Sequence, residues 1–288
     1  MPAGSDISTA LPPIAIALAG IDPAWPELAR ASPGTAAGLK DTLRTVSMLD
    51  VRWVQLDATH PAMRPRDLDR SARRDLAATL RRLELSCCGL DMFVPPEHFA
   101  STQNVDRAAA AVINAIELAA DLAALSGGAV VARRAEGDTC VSLTLPPNPP
   151  SDVLASLASA AQRHGVRLAD HGLPIGEHAQ APGPIGVGLD PAGCQGAGFD
   201  PVALASSLGD RLVSARLSDT SRTLGALRVA PASAQGRLDV LAYRVALMTS
   251  ASAARLRAVV LDLRGVSPRE SGLAGVIAGV LDAAVTGR

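Results

Sequence analysis

The chain has 288 residues, 48% of them hydrophobic and only 2% aromatic, so its core must be built from Ala, Val, Leu and Ile. With 27 basic and 28 acidic residues the formal net charge is −1, which gives no electrostatic case for a nucleic acid or an anionic membrane as partner. Lys40 is the sole lysine, which excludes Schiff-base or P-loop lysine chemistry at any other position.

Residues 1–13 read as a flexible N-terminal segment. The apolar run "LPPIAIALAG" (11–20) has no basic residue before it, the first being Arg30, and is too short to span a bilayer. Neither a signal peptide nor a membrane anchor is expected. From there β-like runs alternate with amphipathic helical stretches. Strands are predicted at 14–20, 51–58, 83–94, 141–145, 166–170, 185–190, 212–219 and 258–265. Helices are predicted near 35–49, 67–82, 104–125, 151–164, 201–209, 236–254 and 268–286. Ser151-Asp152 reads as the cap of the fourth of these, which stops at Gly165.

Two stretches are irregular. "HGLPIGEHAQAPGPIG" (171–186) is too short and too rich in Pro and Gly for a covering helix, so the fifth helix should be missing or reduced. Residues 129–145 read as an extra hairpin around Glu136-Gly137-Asp138, leaving open which arm is the fourth barrel strand.

Apolar strands alternating with helices argue for a parallel sheet covered by helices, and eight such units fit an α/β (β/α)8 TIM barrel. No Pro/Ser linker divides the chain, so a single domain over 1–288 is expected. An open doubly wound sheet is the alternative, but no GxGxxG follows the first strand, and no nucleotide cofactor is expected. Cys87, Cys88, Cys140 and Cys194 show no CxxC or Cys/His spacing and read as buried small hydrophobes in a reducing cytoplasm.

Barrel active sites lie at the C-terminal ends of the strands. Those ends carry Asp57, Asp91, Asp170, Asp190, Asp219 and Asp262, with His60, His98 and His171 close behind. Converging carboxylates repel unless a cation, a shared proton or arginines compensate them. Carboxylates with an imidazole or two also suit a divalent metal. The plainer reading is that Asp after a strand caps the next helix or makes an Asx-turn. His164 reads as a helix-end cation and His178 as a solvated loop residue. Arg216, Arg222 and Arg264 supply positive charge, either to bind a carboxylate or phosphate or to close an internal salt-bridge ring.

The ordered set "VRWVQLDAT", "GLDMFVPPEHF", "GVRLADHG", "IGVGLDPAG", "ARLSDTSR", "GRLDVLAYRVAL" and "VVLDLRG" resembles the xylose-isomerase-like TIM barrels, which include sugar phosphate isomerases/epimerases and ketose 3-epimerases. The resemblance implies one divalent cation, Mn2+ or Mg2+, at the mouth. Asp190 takes the strand-six ligand position unchanged, while Asp170 falls at or next to the strand-five glutamate and Asp262 takes the strand-eight glutamate, the two residues that in the family also move the proton. Arg216 stands at the family's strand-seven His, and Arg222 keeps its Arg. An Arg cannot ligate a cation. The implied protein is a sugar or sugar phosphate isomerase/epimerase whose metal site is altered or lost. Asp170 and Asp262 would be base and acid, with His171 able to replace one of them. Asp57, His60, Asp91, His98, Arg216, Asp219, Arg222 and Arg264 would bind a small carbohydrate. The alternative is a barrel that binds a sugar or protein partner without turnover. An endonuclease of the same superfamily fits less well, given five scattered histidines and near-neutral charge.

Overall fold

Eight parallel strands close on themselves in the computed structural model, which describes residues 12–21, 25, 34–49, 51–126, 139–179, 183–249, 256–267 and 272–286. Strands β1 Ile14–Ala17, β2 Trp53–Asp57, β3 Ser86–Asp91, β4 Thr139–Leu143, β5 Val166–Asp170, β6 Ile185–Leu189 and β7 Leu212–Leu217 run in sequence round the barrel. Outside it, β8 Asp219–Thr220 and β9 Arg228–Val229 form a short antiparallel ribbon. β10 Val259–Leu261 then closes the ring between β7 and β1. The (β/α)8 barrel expected from the alternation of elements is the fold observed.

Alternation along each strand separates two cores. Ile14 and Ile16 of β1, Leu168 of β5, Val187 of β6 and Leu261 of β10 join the large cluster packed under the helices. Ala15, Ala17, Cys88, Ala258 and Val260 form a second, small cluster inside the ring. Small inward residues suit a narrow barrel lumen, and they leave its upper end to polar side chains.

The helices are α1 Ala36–Ser47, α2 Arg70–Arg82, α3 Glu97–Ala100, α4 Val105–Ser126, α5 Ser151–His164, α6 Pro191–Gly196, α7 Pro201–Leu208, α8 Val240–Thr249 and α9 Gly272–Thr286. Side-chain oxygens of Thr35, Asp69 and Asp200 cap α1, α2 and α7 by accepting from Gly38, Ala72 and Val202 N–H at 3.0, 2.8 and 2.9 Å. The cap expected at Ser151 is not formed: Pro150 holds that position and makes no side-chain bond. Gly165 does end α5, in the left-handed region at φ 63°. α4 is long and apolar enough to cross a membrane by composition, yet Val112, Ala115, Ile116, Leu118, Ala119 and Leu122 are buried against the barrel.

Between β5 and β6 the described residues hold one 3-10 turn, Glu177–Ala179, where the covering helix was expected to be missing or reduced. Of the two candidate fourth strands, the 139–143 arm pairs with both β3 and β5. The other arm and the hairpin tip at 136–138 lie outside the described residues, as do residues 1–11 and parts of the helices predicted at 236–254 and 268–286.

Candidate functional site

The C-terminal mouth of the barrel holds a buried cluster of carboxylates and guanidiniums. Asp91 ends β3, Asp190 follows β6, and Asp262 follows β10. Arg216 points into the lumen from β7 and stands among all three. Its Nη2 donates to Asp91 Oδ1 at 2.5 Å, and its Nη1 lies 3.6 Å from Asp262 Oδ2 and 3.9 Å from Asp190 Oδ2. Arg264 donates from Nη1 to Asp91 Oδ2 at 3.0 Å and from Nη2 to Asp262 Oδ2 at 2.5 Å, with Nε on both Asp262 oxygens.

The third cation was not anticipated from the sequence. Arg228, on β9, donates from Nη2 to Asp190 Oδ2 at 2.7 Å and places Nη1 3.5 Å from Asp262 Oδ2. The ribbon that carries it is tied down by Asp219, whose Oδ1 accepts from the N–H groups of Thr220, Arg237 and Leu238 at 2.8, 3.0 and 3.0 Å. Gln195 adds an acceptor for Thr220 N and Oγ1. Ser218 donates to Asp190 and accepts from Ala192 N–H. The sequence signal for Arg228 was the connection from 218 to 239, longer than barrel loops usually run.

Burial opposes charge on Asp91 and pushes its carboxyl up, against the pull of Arg216 and Arg264. Burial works on Asp262 in the same direction, but hydrogen bonds from Arg264 and the charges of Arg216, Arg264 and Arg228 outweigh it and hold that carboxyl well below its usual range. Two neighbouring carboxyls are thus driven apart by their surroundings.

His171 sits beside the cluster. Burial, then Arg216 and Arg264, press its imidazole well below the usual range, so it is neutral near pH 7. Both ring nitrogens are buried without a hydrogen-bond partner. The ring lies over β6 at Gly188, where an added Cβ would come within 2.6 Å of three ring atoms, so only glycine gives it that seat.

Asp170 departs from its expected place. Strand alternation puts it on the opposite side of β5 from His171, on the face that carries Leu168. Its Oδ1 accepts from Leu145 and Gly172 N–H, each at 2.9 Å, and its Oδ2 lies 2.8 Å from His178 Nε2. Asp170 and Asp262 therefore do not face one cavity, and the expected set of Asp170, Asp190 and Asp262 is not brought together. His178, read as a solvated loop residue, has a side chain only 7% exposed and closes the loop onto Asp170.

The other expected site residues have local partners. Asp57 accepts from Thr59 N–H and Oγ–H while lying near enough to Asp91 to raise its carboxyl further. His60 Nδ1 accepts from Ala62 N–H and caps the turn Pro61–Met63. His98 lies half-buried on α3 and joins none of the cluster's bonds. Asp219 clamps the ribbon, and Arg222 donates to the Gly236 carbonyl on an exposed loop. Arg216 and Arg264 alone of the three expected arginines face the mouth carboxylates.

Comparison with solved structures places this geometry. A xylose isomerase domain protein from Alicyclobacillus acidocaldarius subsp. acidocaldarius is 16% identical over 94% of this chain and 95% of its own, at a TM-score of 0.60. The fold is that of the xylose-isomerase-like TIM barrels. A D-psicose 3-epimerase, crystallised in the presence of D-fructose, is 11% identical over 96% of both chains, with a TM-score of 0.58. A xylose isomerase-like TIM barrel protein from Mycobacterium smegmatis in complex with magnesium is 13% identical over 96% of this chain and 97% of its own, with a TM-score of 0.56. No protein-family model and no curated protein matches the chain.

A divalent cation such as the magnesium in that neighbour needs donors with free lone pairs. A guanidinium has no lone pair to offer a cation, and Arg216 stands within ion-pair distance of each carboxylate that would surround one. Among the described residues no group of three His, Cys, Asp or Glu side chains is placed to hold a metal ion. The residues of this mouth do not fit a divalent cation.

Proposed function

We propose that the barrel binds a small sugar or sugar phosphate at its C-terminal mouth, with no divalent cation, and does not carry out proton exchange between two free carboxylates. The observation that carries this reading is Arg216 among Asp91, Asp190 and Asp262. The D-psicose 3-epimerase crystallised in the presence of D-fructose supports a small sugar as the ligand class for this fold.

Proton transfer next to a carbonyl needs a base whose carboxylate accepts a proton near neutral pH and reaches the substrate. Asp262 is held as an anion by Arg264, and Asp170 is bonded on the outer face of β5. Neither serves as that base in this arrangement.

One observation favours turnover. Asp91 and Asp262 share Arg216 and Arg264 while their carboxyls are shifted in opposite directions, the arrangement that separates an acid/base group from a fixed anion. On that second reading the protein is an isomerase/epimerase in which Asp91 moves the proton.

One experiment separates the two. The protein, treated with EDTA, is titrated calorimetrically with aldoses, ketoses and their phosphates, then incubated with each in D2O and followed by proton NMR. Binding with no deuterium entering next to the carbonyl is the expected result. Deuterium incorporation that Asp91→Asn abolishes would replace the first reading by the second, and absence of any binding would remove both.

A further inference from the structure

We propose that His171 is the group through which the mouth selects its ligand, and that this ligand is an uncharged polyol whose hydroxyls bond the two ring nitrogens from opposite sides. The inference deepens the sugar-binding reading and rests on it.

Buried polar atoms are almost always hydrogen-bonded, so each exception calls for a partner that the chain does not provide. His171 Nδ1 and Nε2 are both such exceptions, on one ring, at the catalytic end of a barrel. The ring is seated rather than loose. Gly188 lies against it, the backbone N–H of His171 donates to the Leu143 carbonyl at 2.9 Å, and the strand it follows is paired on both sides. A neutral imidazole has one N–H donor and one lone pair. One hydroxyl can accept from the first while another, several carbons further along because the two nitrogens point away from each other, donates to the second, and a polyol offers both.

The charge pattern argues for an uncharged ligand. Asp91, Asp190 and Asp262 are matched by Arg216, Arg228 and Arg264, and Asp57 beside Asp91 adds a further carboxylate, so the mouth carries no surplus of positive charge for an anion. Nε, Nη1 and Nη2 of Arg264 are all engaged with Asp91 or Asp262. A phosphate or carboxylate would have to break those pairs to be bound by that guanidinium. The remaining buried donors without a hydrogen bond in the cluster are Arg216 Nε and Arg228 Nη1. Hydroxyl oxygens can accept from both without displacing a carboxylate.

The test uses the full chain with D-fructose, D-xylose and D-fructose 6-phosphate as probes. Three proteins are titrated: wild type, His171→Phe, which keeps a ring without its nitrogens, and His171→Asn, which keeps a donor and an acceptor. Thermal unfolding of each is recorded alongside to separate binding from folding. Wild type is expected to bind at least one uncharged sugar no more weakly than the phosphate. His171→Phe should weaken that binding at least tenfold without lowering the unfolding temperature, and His171→Asn should recover part of it. Unchanged binding by His171→Phe would overturn the role of His171 and leave the sugar-binding reading standing. Tenfold tighter binding of the phosphate would overturn the uncharged ligand, again leaving the broader reading intact. If wild type binds none of the three, the sugar-binding reading fails and this inference fails with it.

Discussion

Replacing Arg216 by methionine removes the central charge of the mouth while keeping an unbranched side chain of similar reach. The guanidinium donates to Asp91 at 2.5 Å and lies 3.6 and 3.9 Å from Asp262 and Asp190, with a side chain 6% exposed. At an effective dielectric of about 20, one pair at such a distance carries roughly 4–5 kcal/mol of gross Coulomb energy, most of it offset by desolvation. Removing one partner of a buried pair leaves an uncompensated charge and costs about 3–5 kcal/mol. In a chain of this size that is a fall in Tm on the order of 10 °C. The loss should depend on pH. Burial already raises the Asp91 carboxyl against the pull of Arg216 and Arg264, and losing Arg216 raises it further. A carboxyl with a folded pKa above its unfolded value carries no penalty when protonated in both states, and the penalty grows as pH rises through the folded value. Arg216→Met should therefore be nearer to wild type at pH 5 than at pH 8. Urea unfolding followed by circular dichroism at both pH values measures this, and Asp91→Asn in the same background should recover at least about 1 kcal/mol. A loss under about 1 kcal/mol, equal at both pH values, would show that the cluster is solvated and that the reasoning from buried pairs is wrong.

Arg216→His puts an imidazole near Asp190 and Asp262, and calorimetry should then detect Mn2+ binding that wild type lacks; wild-type binding of Mn2+ would show that Arg216 does not keep a cation out. Asp219→Ala takes an acceptor from the N–H groups of Thr220, Arg237 and Leu238; Thr220 keeps Gln195 Oε1 and Arg237 keeps the Thr220 carbonyl, but Leu238 N–H is left unpaired, so stability should fall by about 1–3 kcal/mol and proteolysis should begin between 219 and 238. Burial pushes the Cys87 and Cys140 thiols up to about 11 and Cys194 to about 12, with Cys88 also raised, so native protein at pH 8 should react with a disulfide reagent far more slowly than urea-unfolded protein.

The barrel was legible because strand and helix patterns alternate with little interruption, and β5 and α5 lie where the periodicity placed them. Local chemistry was harder to read. Both faces of a barrel strand are buried, so the pattern "VRLADH" does not say which of Asp170 and His171 faces the lumen. The inward face became identifiable through Gly188, which matters only once β5 and β6 are paired. Arg228 was hidden for another reason: it reaches the mouth from outside the barrel, on a two-residue ribbon with no strand pattern of its own. Arg216 and Arg264 were visible because they stand at strand ends, where geometry follows from the fold.

The spacing of the mouth residues along the chain also bears on how the molecule is assembled. Asp91 finds its guanidinium partners 125 and 173 residues further on. When the first four strands have been synthesised, that carboxylate has none of the cations that will neutralise it, and a half-barrel ending after Leu143 would bury it alone. Closure therefore waits for the last strand, and the ring should form as one cooperative unit rather than as two stable halves. An N-terminal fragment is expected to remain unfolded until the C-terminal fragment, bringing Arg216, Arg228 and Arg264 together, is supplied in trans.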